Sequence, residues 1–297
     1  MNQMARVMLL MMVCCTLLLS GCGDKGSGVF SRGLSFIGEK KYTLRGEQVI
    51  PPGRVSRGED QMAIKGGKYT ATKAGETITG EAEISDTTIT ETEYLSPTKV
   101  RVTYVSDMSR TRFSIAGNDQ AETEPNPLDG ATVIGTLKNG SWVYSLEHGI
   151  PTQKQAKELD DKSESTGTSD AIYPSKPLAV GESWDAPTSA IRSYLGNDFL
   201  NLSGSVSMHF DSIADHMGEK CAKIFVSIQV SGNRLDSDNQ EQDIELGAQG
   251  HIYRSLERFV DVSYDLKGQL KMIGQLDSNL TVGITGPFRL QGTSLLK

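Results

Sequence analysis

Alternation of apolar and polar residues with a period of two is the feature that most restricts the fold of this chain. It is clearest in residues 99–105 (KVRVTYV), 205–210 (SVSMHF) and 280–284 (LTVGI). Two runs, 224–230 (IFVSIQV) and 258–266 (RFVDVSYDL), are richer in apolar residues and predict more deeply buried strands. Because strand side chains alternate between two faces, the pattern predicts a mostly β chain of antiparallel sheets, either a curved half-barrel or a sandwich.

Threonine-rich runs and glycines complete the β pattern. The runs 77–79 (TIT) and 87–90 (TTIT) predict edge strands or strands that face solvent. The chain has 31 glycines, many of them between the alternating runs, where they predict turns and bulges.

Helical signals are confined to two segments. Residues 151–159 (PTQKQAKEL) have Pro in the first turn followed by good helix formers, and residues 188–195 predict a second, shorter helix. Between them, residues 160–170 (DDKSESTGTSD) contain no apolar side chain and predict a mobile linker. Residues 151–170, a helix and polar linker, therefore separate an N-terminal β-rich half, 32–150, from a C-terminal β-rich half, 171–297.

The N-terminus carries an export signal. The apolar run 7–19, broken only by Thr16, is shorter than the roughly 20 residues that span a bilayer, and it ends in Leu19-Ser20-Gly21-Cys22. This ending resembles the lipobox of bacterial lipoproteins. The resemblance implies a signal peptide at 1–21, cleavage between Gly21 and Cys22, and a diacylglyceryl thioether with fatty acyl chains such as palmitate on Cys22. The alternatives are an uncleaved apolar helix and an ordinary secretory signal.

The residues after Cys22 bear on localisation. Residues 22–31 form a small, polar, lipidated tether, and Gly23 rather than Asp follows the lipidated cysteine. In enterobacteria-like cells an Asp at that place is the usual signal for retention in the inner membrane. We therefore expect an exported, membrane-anchored protein, in the outer membrane where the cell has one.

One segment of the C-terminal half resembles a recurring family. Residues 173–184 (YPSKPLAVGESW) combine prolines that hold an extended chain, a glycine for a turn and Trp184 to close the edge of a core. The segment, with 218–224 (GEKCAKI) and 246–252 (LGAQGHI) after it, resembles secreted and lipid-anchored bacterial β-proteins of unknown function. The resemblance implies a β-rich domain and brings no catalytic residues.

Cysteine usage and charge exclude some functions. Only Cys22 and Cys221 remain after cleavage, so with Cys22 lipidated no internal disulfide forms, and Cys221 is predicted to be a buried, inert thiol. The net charge is −7, which opposes binding of nucleic acid phosphates. We expect no nucleic acid partner and no cofactor.

A search for catalytic or metal-binding motifs gives no candidate site. The histidines at 148, 209, 216 and 251 lack metal-ligand spacing, and His209 and His251 are predicted on strands at surface or cross-strand positions. Residues 236–241 (DSDNQE) lack the glycine of a calcium loop and predict a charged hairpin tip. Ser96-Pro97-Thr98-Lys99 and Ser237-Asp238-Asn239 match two motifs of penicillin-binding proteins, but Pro97 predicts a turn where those enzymes need a helix.

Three functions fit these observations. The first is a non-enzymatic envelope lipoprotein whose β-rich body binds a lipid or other apolar ligand, or an envelope protein partner. In that case the apolar stripes at 221–231 and 258–266 form either its core or its ligand groove. The second is an envelope hydrolase, in which a histidine meets a carboxylate and a hydroxyl in a polar cleft. The third is a purely structural surface protein.

Overall fold

The computed structural model describes residues 40–46, 50–115, 117–139, 141–165, 172–187, 199–235, 241–277 and 279–297. It confirms the predicted mostly β class, since all strand pairs are antiparallel and a single helix, α1 (Gln153–Ser165), lies within these ranges. The strands, in chain order, are β1 (Lys41–Tyr42), β2 (Val55–Lys73), β3 (Glu76–Ser96), β4 (Lys99–Ile115), β5 (Asn118–Pro125), β6 (Thr132–Lys138), β7 (Ser141–Leu146), β8 (Leu178–Ala179), β9 (Ser183–Ala186), β10 (Phe199–His216), β11 (Glu219–Leu235), β12 (Glu241–Ser255), β13 (Asp261–Asp277) and β14 (Leu280–Leu296).

One sheet of 12 strands contains the long strands of both β-rich halves. Its order is β7-β6-β4-β3-β2-β14-β13-β12-β11-β10-β9, with β5 also paired to β4. The last strand, β14, lies beside β2, so the C-terminus of the chain joins the two halves edge to edge. The sheet is open, and β1 and β8 form a separate ribbon of two short strands.

Tight turns explain how such long strands form consecutive hairpins. Ala74 and Gly75 connect β2 to β3 with φ angles of 51° and 87°, and Met217 and Gly218 connect β10 to β11 with φ angles of 51° and 80°. Two residues with positive φ form the turn whose twist matches that of the flanking strands. Each hairpin therefore pairs over nearly the whole length of its strands, with its register shifted only at bulges.

The hydrogen-bond ladder between β14 and β2 is interrupted once, at a segment of β14 that contains a proline. Pairing stops at Thr285 and resumes at Phe288, and Gly66 on the opposite strand has a φ of 65°. Pro287, inside the gap, has no N–H to donate, so the irregularity leaves no donor of that residue unpaired.

Apolar side chains collect on one face of the sheet, here called the inner face. The main core covers β10–β14 and parts of β2 and β3, and it includes Phe210, Ile224 and Ile284. A smaller core lies on β3, β4, β6 and β7, where Leu159 of α1 packs against Val102 and other residues. The opposite, outer face is polar.

Helix α1 begins as a capping motif dictates and extends further than predicted. The Thr152 hydroxyl accepts a hydrogen bond from the Gln155 N–H at 3.3 Å, and the Gln155 side chain accepts one from the Thr152 N–H at 3.0 Å. The helix continues to Ser165, so residues 160–165, predicted as linker, are helical and pack Lys162 against the sheet. Residues 166–170 and the predicted helix at 188–195 lie outside the described residues.

Two strand predictions were wrong in detail. The run 87–90 was expected at an edge or facing solvent, but β3 lies between β2 and β4, and Thr88 and Thr90 are buried on the inner face. Residues 258–260 were expected to open a strand, yet β13 begins only at Asp261, after a turn in which Phe259 has a φ of 56°. The run 77–79, near a hairpin tip, is exposed as predicted.

We expect Ile224→Ala to lower the free energy of unfolding by about 2–5 kcal/mol, because it removes buried methyl groups and leaves a cavity. Ile224 is 0% exposed, whereas Ile150 is 93% exposed, so Ile150→Ala is the matched control and should change stability by less than about 0.5 kcal/mol. Urea unfolding followed by circular dichroism measures both. Equal losses would contradict the assignment of the inner face as the core.

Candidate functional site

The part of the inner face on β10–β14, here called the apolar half, contains a narrow space lined only by apolar side chains. Its free volume is about 20 Å³, and it lies under β10–β14 and Ile172. The lining residues are Ile172, Val206, Met208, Val226, Ile228, Leu246, Ala248, Ile252, Leu266, Phe288 and Leu290. That volume holds about one water-sized sphere, so in this state the apolar stripes of the C-terminal half form a filled core.

The inner face changes from apolar to acidic where β14 meets β2. Successive partners across five strands are Tyr264, Gly292, Asp60, Thr88 and Asp107. The Tyr264 hydroxyl donates a hydrogen bond of 2.5 Å to Asp60 Oδ1, passing over Gly292. A Cβ atom at Gly292 would collide with both the Asp60 carboxylate and the Tyr264 ring, which explains the glycine.

Asp86 occupies the neighbouring row of the same face. Its row runs through Leu266, Leu290 and Met62 to Asp86 and then Ser109. Both carboxylate oxygens are inaccessible to solvent and have no partner at hydrogen-bond geometry. Burial raises the pKa of this carboxyl group to about 7, an effect that the nearby Ser109 hydroxyl partly offsets and the charge of Asp107 increases.

The other two carboxylates are better satisfied. Asp107 Oδ1 accepts hydrogen bonds from Thr88 at 2.8 Å and from Asn126 at 2.9 Å, although burial still raises its pKa. Burial raises the pKa of Asp60 to about 6, against the lowering effect of its bond from Tyr264. Asp60, Asp86 and Asp107 are called the inner acidic cluster below.

Helix α1 supplies a buried positive charge to this region. Lys162 Nζ lies 3.0 Å from Glu158 Oε1 and 5.2 Å from the centre of the Tyr104 ring, and both charged residues are buried. The Lys162 charge lowers the pKa of Asp60 and of Asp107. Because Glu158 already pairs with it, Lys162 does not balance the whole inner acidic cluster.

The histidines lie on or near the polar outer face, where a β-bulge brings some of them together. The bulge in β10 leaves Asp211 without a register partner. Its carboxylate lies 2.9 Å from His251 Nε2 and 3.6 Å from His209 Nε2, and the other nitrogen of His209 lies 2.9 Å from Ser183 Oγ. His209 and His251 side chains are 42% and 37% exposed, which confirms the predicted surface positions.

The other two histidines make separate contacts. His216 Nε2 is 2.7 Å from Ser263 Oγ, and its ring stacks on Tyr253 at 3.9 Å between centres. Burial lowers the pKa of His216. His148 is exposed beside Glu147. His216 and His251 line one groove of about 630 Å³ on the outer face, which is wide and open to water.

The contacts of His209 resemble those that the hydrolase alternative requires, since a carboxylate and a hydroxyl both approach one histidine. They lie in a solvent-exposed row of strand side chains, and the carboxylate is beyond hydrogen-bond distance. Preorganised charges stabilise a transition state most strongly where water is excluded. The geometry therefore gives this alternative little support.

The remaining sequence candidates fall in different places. Gly21, Cys22 and residues 236–240 lie outside the described residues, so neither the lipobox nor the charged tip is tested. Cys221 is buried, as predicted, and burial raises the pKa of its thiol to about 11. Ser96 and Lys99 flank a turn between β3 and β4, as Pro97 predicts.

The segment 173–184 closes one edge of the main core, as predicted for Trp184. The Trp184 Nε1–H donates to the Ile172 carbonyl at 2.7 Å, and its ring packs on the core from β9. Tyr173 is buried, its ring lies under the Arg254 guanidinium at 3.9 Å, and its hydroxyl donates to Asp261 at 2.7 Å.

Two further features are absent from the described ranges. Among those residues, no three His, Cys, Asp or Glu side chains are placed to hold a metal ion. Within the same ranges, no helix has the length and apolar character needed to span a membrane.

No protein-family model and no curated protein matches the chain. A structure of lipovitellin, concerned with its lipid–protein interactions, is similar over 83% of this chain with 7% identity and a TM-score of 0.37. This chain spans 25% of the length of that lipovitellin chain. An outer membrane channel from Pseudomonas putida F1 is similar over 84% of this chain and 98% of its own, with 11% identity and a TM-score of 0.22. These scores are too low for either likeness to bear on what this protein does.

Sequence reasoning missed the inner acidic cluster because polar residues in an alternating strand are normally assigned to the solvent face. The signal was present in residues 84–92 (ISDTTITET), where Ile84 and Asp86 share one face with Thr88, Thr90 and Thr92. An aspartate in register with buried apolar residues would have indicated it.

The buried carboxyl groups predict that the protein loses stability as pH rises. The carboxyl groups of Asp60 and Asp86 have a pKa of 3.8 in the unfolded chain. In the folded protein the pKa is about 6 for Asp60 and about 7 for Asp86. A carboxyl group whose pKa is higher in the folded state contributes its full stability at pH values below its unfolded pKa. That contribution is lost as the pH rises through its folded pKa. The free energy of unfolding should therefore fall between about pH 4 and pH 7.

Asp86→Asn isolates this effect. It should raise the free energy of unfolding at about pH 8 by roughly 1–4 kcal/mol and flatten the pH dependence, since an amide cannot ionise. Asp185→Asn, at an exposed position, should leave the pH dependence unchanged. Urea unfolding across this pH range provides the measurement, and a steeper fall in the Asp86 variant would contradict the burial of its carboxyl group.

Proposed function

We propose that this chain is an exported lipoprotein, anchored to a membrane through a lipid on Cys22, whose non-enzymatic β-sheet body binds an apolar ligand on its inner face. The observation that carries the binding part is the narrow space in the apolar half, with only apolar residues lining it. Apolar pockets with few polar groups are typical of sites for lipids and other small apolar molecules. We place the protein in the outer membrane where the cell has one.

Entry of a ligand requires this space to enlarge, because a free volume of about 20 Å³ cannot hold an acyl chain. The part of the lining that belongs to no strand of the main sheet is Ile172, which precedes strand β8 of the β1–β8 ribbon in the chain. The ribbon has two residues in each strand, and Tyr42 meets Phe210 of the core by one edge-to-face ring contact at 5.9 Å. Displacing it costs far fewer hydrogen bonds than parting two strands of the main sheet.

The enlargement has a physical driving force. An acyl chain that replaces water contact with contact to these side chains gains about 0.8 kcal/mol for each buried CH₂ group. A chain of ten carbons thereby gains about 8 kcal/mol. A protein partner that covers the inner face would gain in the same way, and it is the alternative occupant.

A soluble form that begins at Gly23 and is exported to a bacterial periplasm should carry a bound apolar molecule at close to one per chain. Native mass spectrometry gives the stoichiometry, and solvent extraction identifies the molecule. Ala248→Phe, which fills the lined space, should lower occupancy at least fivefold, whereas Ala121→Phe, on the exposed strand β5, should leave it unchanged. An empty chain that also fails to take up added fatty acids or alcohols would rule out the apolar ligand.

The anchor is tested separately. Cys22→Ser should abolish incorporation of labelled palmitate and shift the protein from the membrane fraction to the soluble fraction or the uncleaved precursor, because serine has no sulfur to form the thioether. Cys15→Ser, within the same N-terminal segment, should leave labelling and fractionation unchanged. Labelling that persists in the Cys22 variant would exclude the proposed lipobox.

A further inference from the structure

The inner acidic cluster adjoins the apolar half so closely that one ligand can contact both. Asp86 is separated from Leu290, which lines the apolar space, by the single strand β2. Two strand spacings amount to about 10 Å. Asp60 is one strand closer, beside Gly292. An amphiphile whose chain lies on the apolar half would therefore have its head group near these carboxylates.

Asp86 shows which head group fits. A buried carboxylate is strongly destabilised unless a proton, a positive charge or hydrogen-bond donors satisfy it. Neither of its two oxygens has a partner at bonding geometry within the described residues, and the nearby Ser109 hydroxyl offsets the effect of burial only in part. The charged group that acts on Asp86 from within the protein is Asp107, which is of the same sign. Among the residues that the structure describes, no positively charged group is therefore found to act on Asp86.

Lys162 is not the cation that neutralises Asp86. It pairs with Glu158 on its own helix and lowers the pKa of Asp60 and Asp107, but it is not among the groups that act on Asp86. An anionic head group would meet three carboxylates and gain little from a lysine that is already paired. A neutral alcohol could donate one hydrogen bond, whereas an ammonium group donates three and carries the missing charge.

We infer that the ligand of the inner face is a cationic amphiphile, with an apolar chain on the apolar half and a primary ammonium group bound between Asp86 and Asp60. This inference rests on the proposed function. It narrows the ligand class from any apolar molecule to amine-bearing lipids or alkylamines, and Asp86 is the residue that selects the amine.

The test compares probes of equal chain length: decylamine, decanol and decanoate, each below its micelle concentration. Isothermal titration calorimetry at about pH 8 uses the chain from Gly23 onward, which keeps every residue that the structure describes. Decylamine should bind the wild type at least tenfold more tightly than decanol, and decanoate should bind most weakly.

Asp86→Asn should weaken decylamine binding about tenfold and leave decanol binding unchanged, so decanol also reports that the variant is folded. Asp185→Asn, exposed on β9, is the matched control and should behave as wild type. At about pH 5 the wild-type preference for decylamine should shrink, since a protonated Asp86 no longer pairs with it. The other titratable groups around the inner acidic cluster, which affect its ionisation over this pH range, are Glu158, Lys162, Tyr104 and Tyr264, beside Asp60 and Asp107 themselves.

The outcomes separate the two proposals. If decanol and decylamine bind equally well, or if the preference for decylamine survives in Asp86→Asn, the head-group inference is wrong and the apolar site stands. If none of the three probes binds, the apolar site itself is wrong, and the inference fails with it.

Discussion

The pairing of β14 with β2 is the constraint on which the rest of the structure depends. It joins β14 to the first long strand, from Leu280 beside Lys73 to Leu296 beside Ser56, with one register shift between Thr285 and Phe288. Without it the two β-rich halves would be separate sheets, each with an exposed edge. The entropic cost of bringing two segments together grows only slowly with the number of residues between them. The many contacts of a long ladder can therefore offset the cost of so distant a pairing.

The same pairing creates the junction between the apolar half and the acidic cluster. Gly292 of β14 has Tyr264 on one side and Asp60 on the other, and Leu290 is followed across β2 by Asp86. The hydrogen bond from Tyr264 partly compensates the burial of Asp60, whereas neither oxygen of Asp86 has a partner at hydrogen-bond geometry within the described residues. A group that lowers the stability of the folded state in this way is typical of a site kept for binding rather than for folding.

The outer face, in contrast, carries polar and charged side chains that are exposed to solvent. Its cross-strand ion pairs, such as Arg289 with Asp265 and Lys271 with Glu245, are exposed and contribute little to stability, but they keep a large sheet surface soluble. The contacts of His209 and His251 with Asp211 belong to this polar surface. The inner face therefore carries the better candidate for a functional site, because a polar group that is buried there without a partner lowers the stability of the folded state.

The sequence by itself determined that the chain is mostly β, where several of its strands lie, where α1 begins and that Cys221 is buried, because these properties depend on local alternation and capping. It did not determine which strands are neighbours. The run 87–90 shows why: its period of two is the same at a sheet edge and in the interior, and only pairing with both β2 and β4 buries Thr88. Asp86 likewise looks like a solvent-facing residue until the tertiary structure sets it in line with Leu290. Pairing partners some 200 residues apart leave no local pattern, so the tertiary structure alone decided where the acidic cluster meets the apolar core.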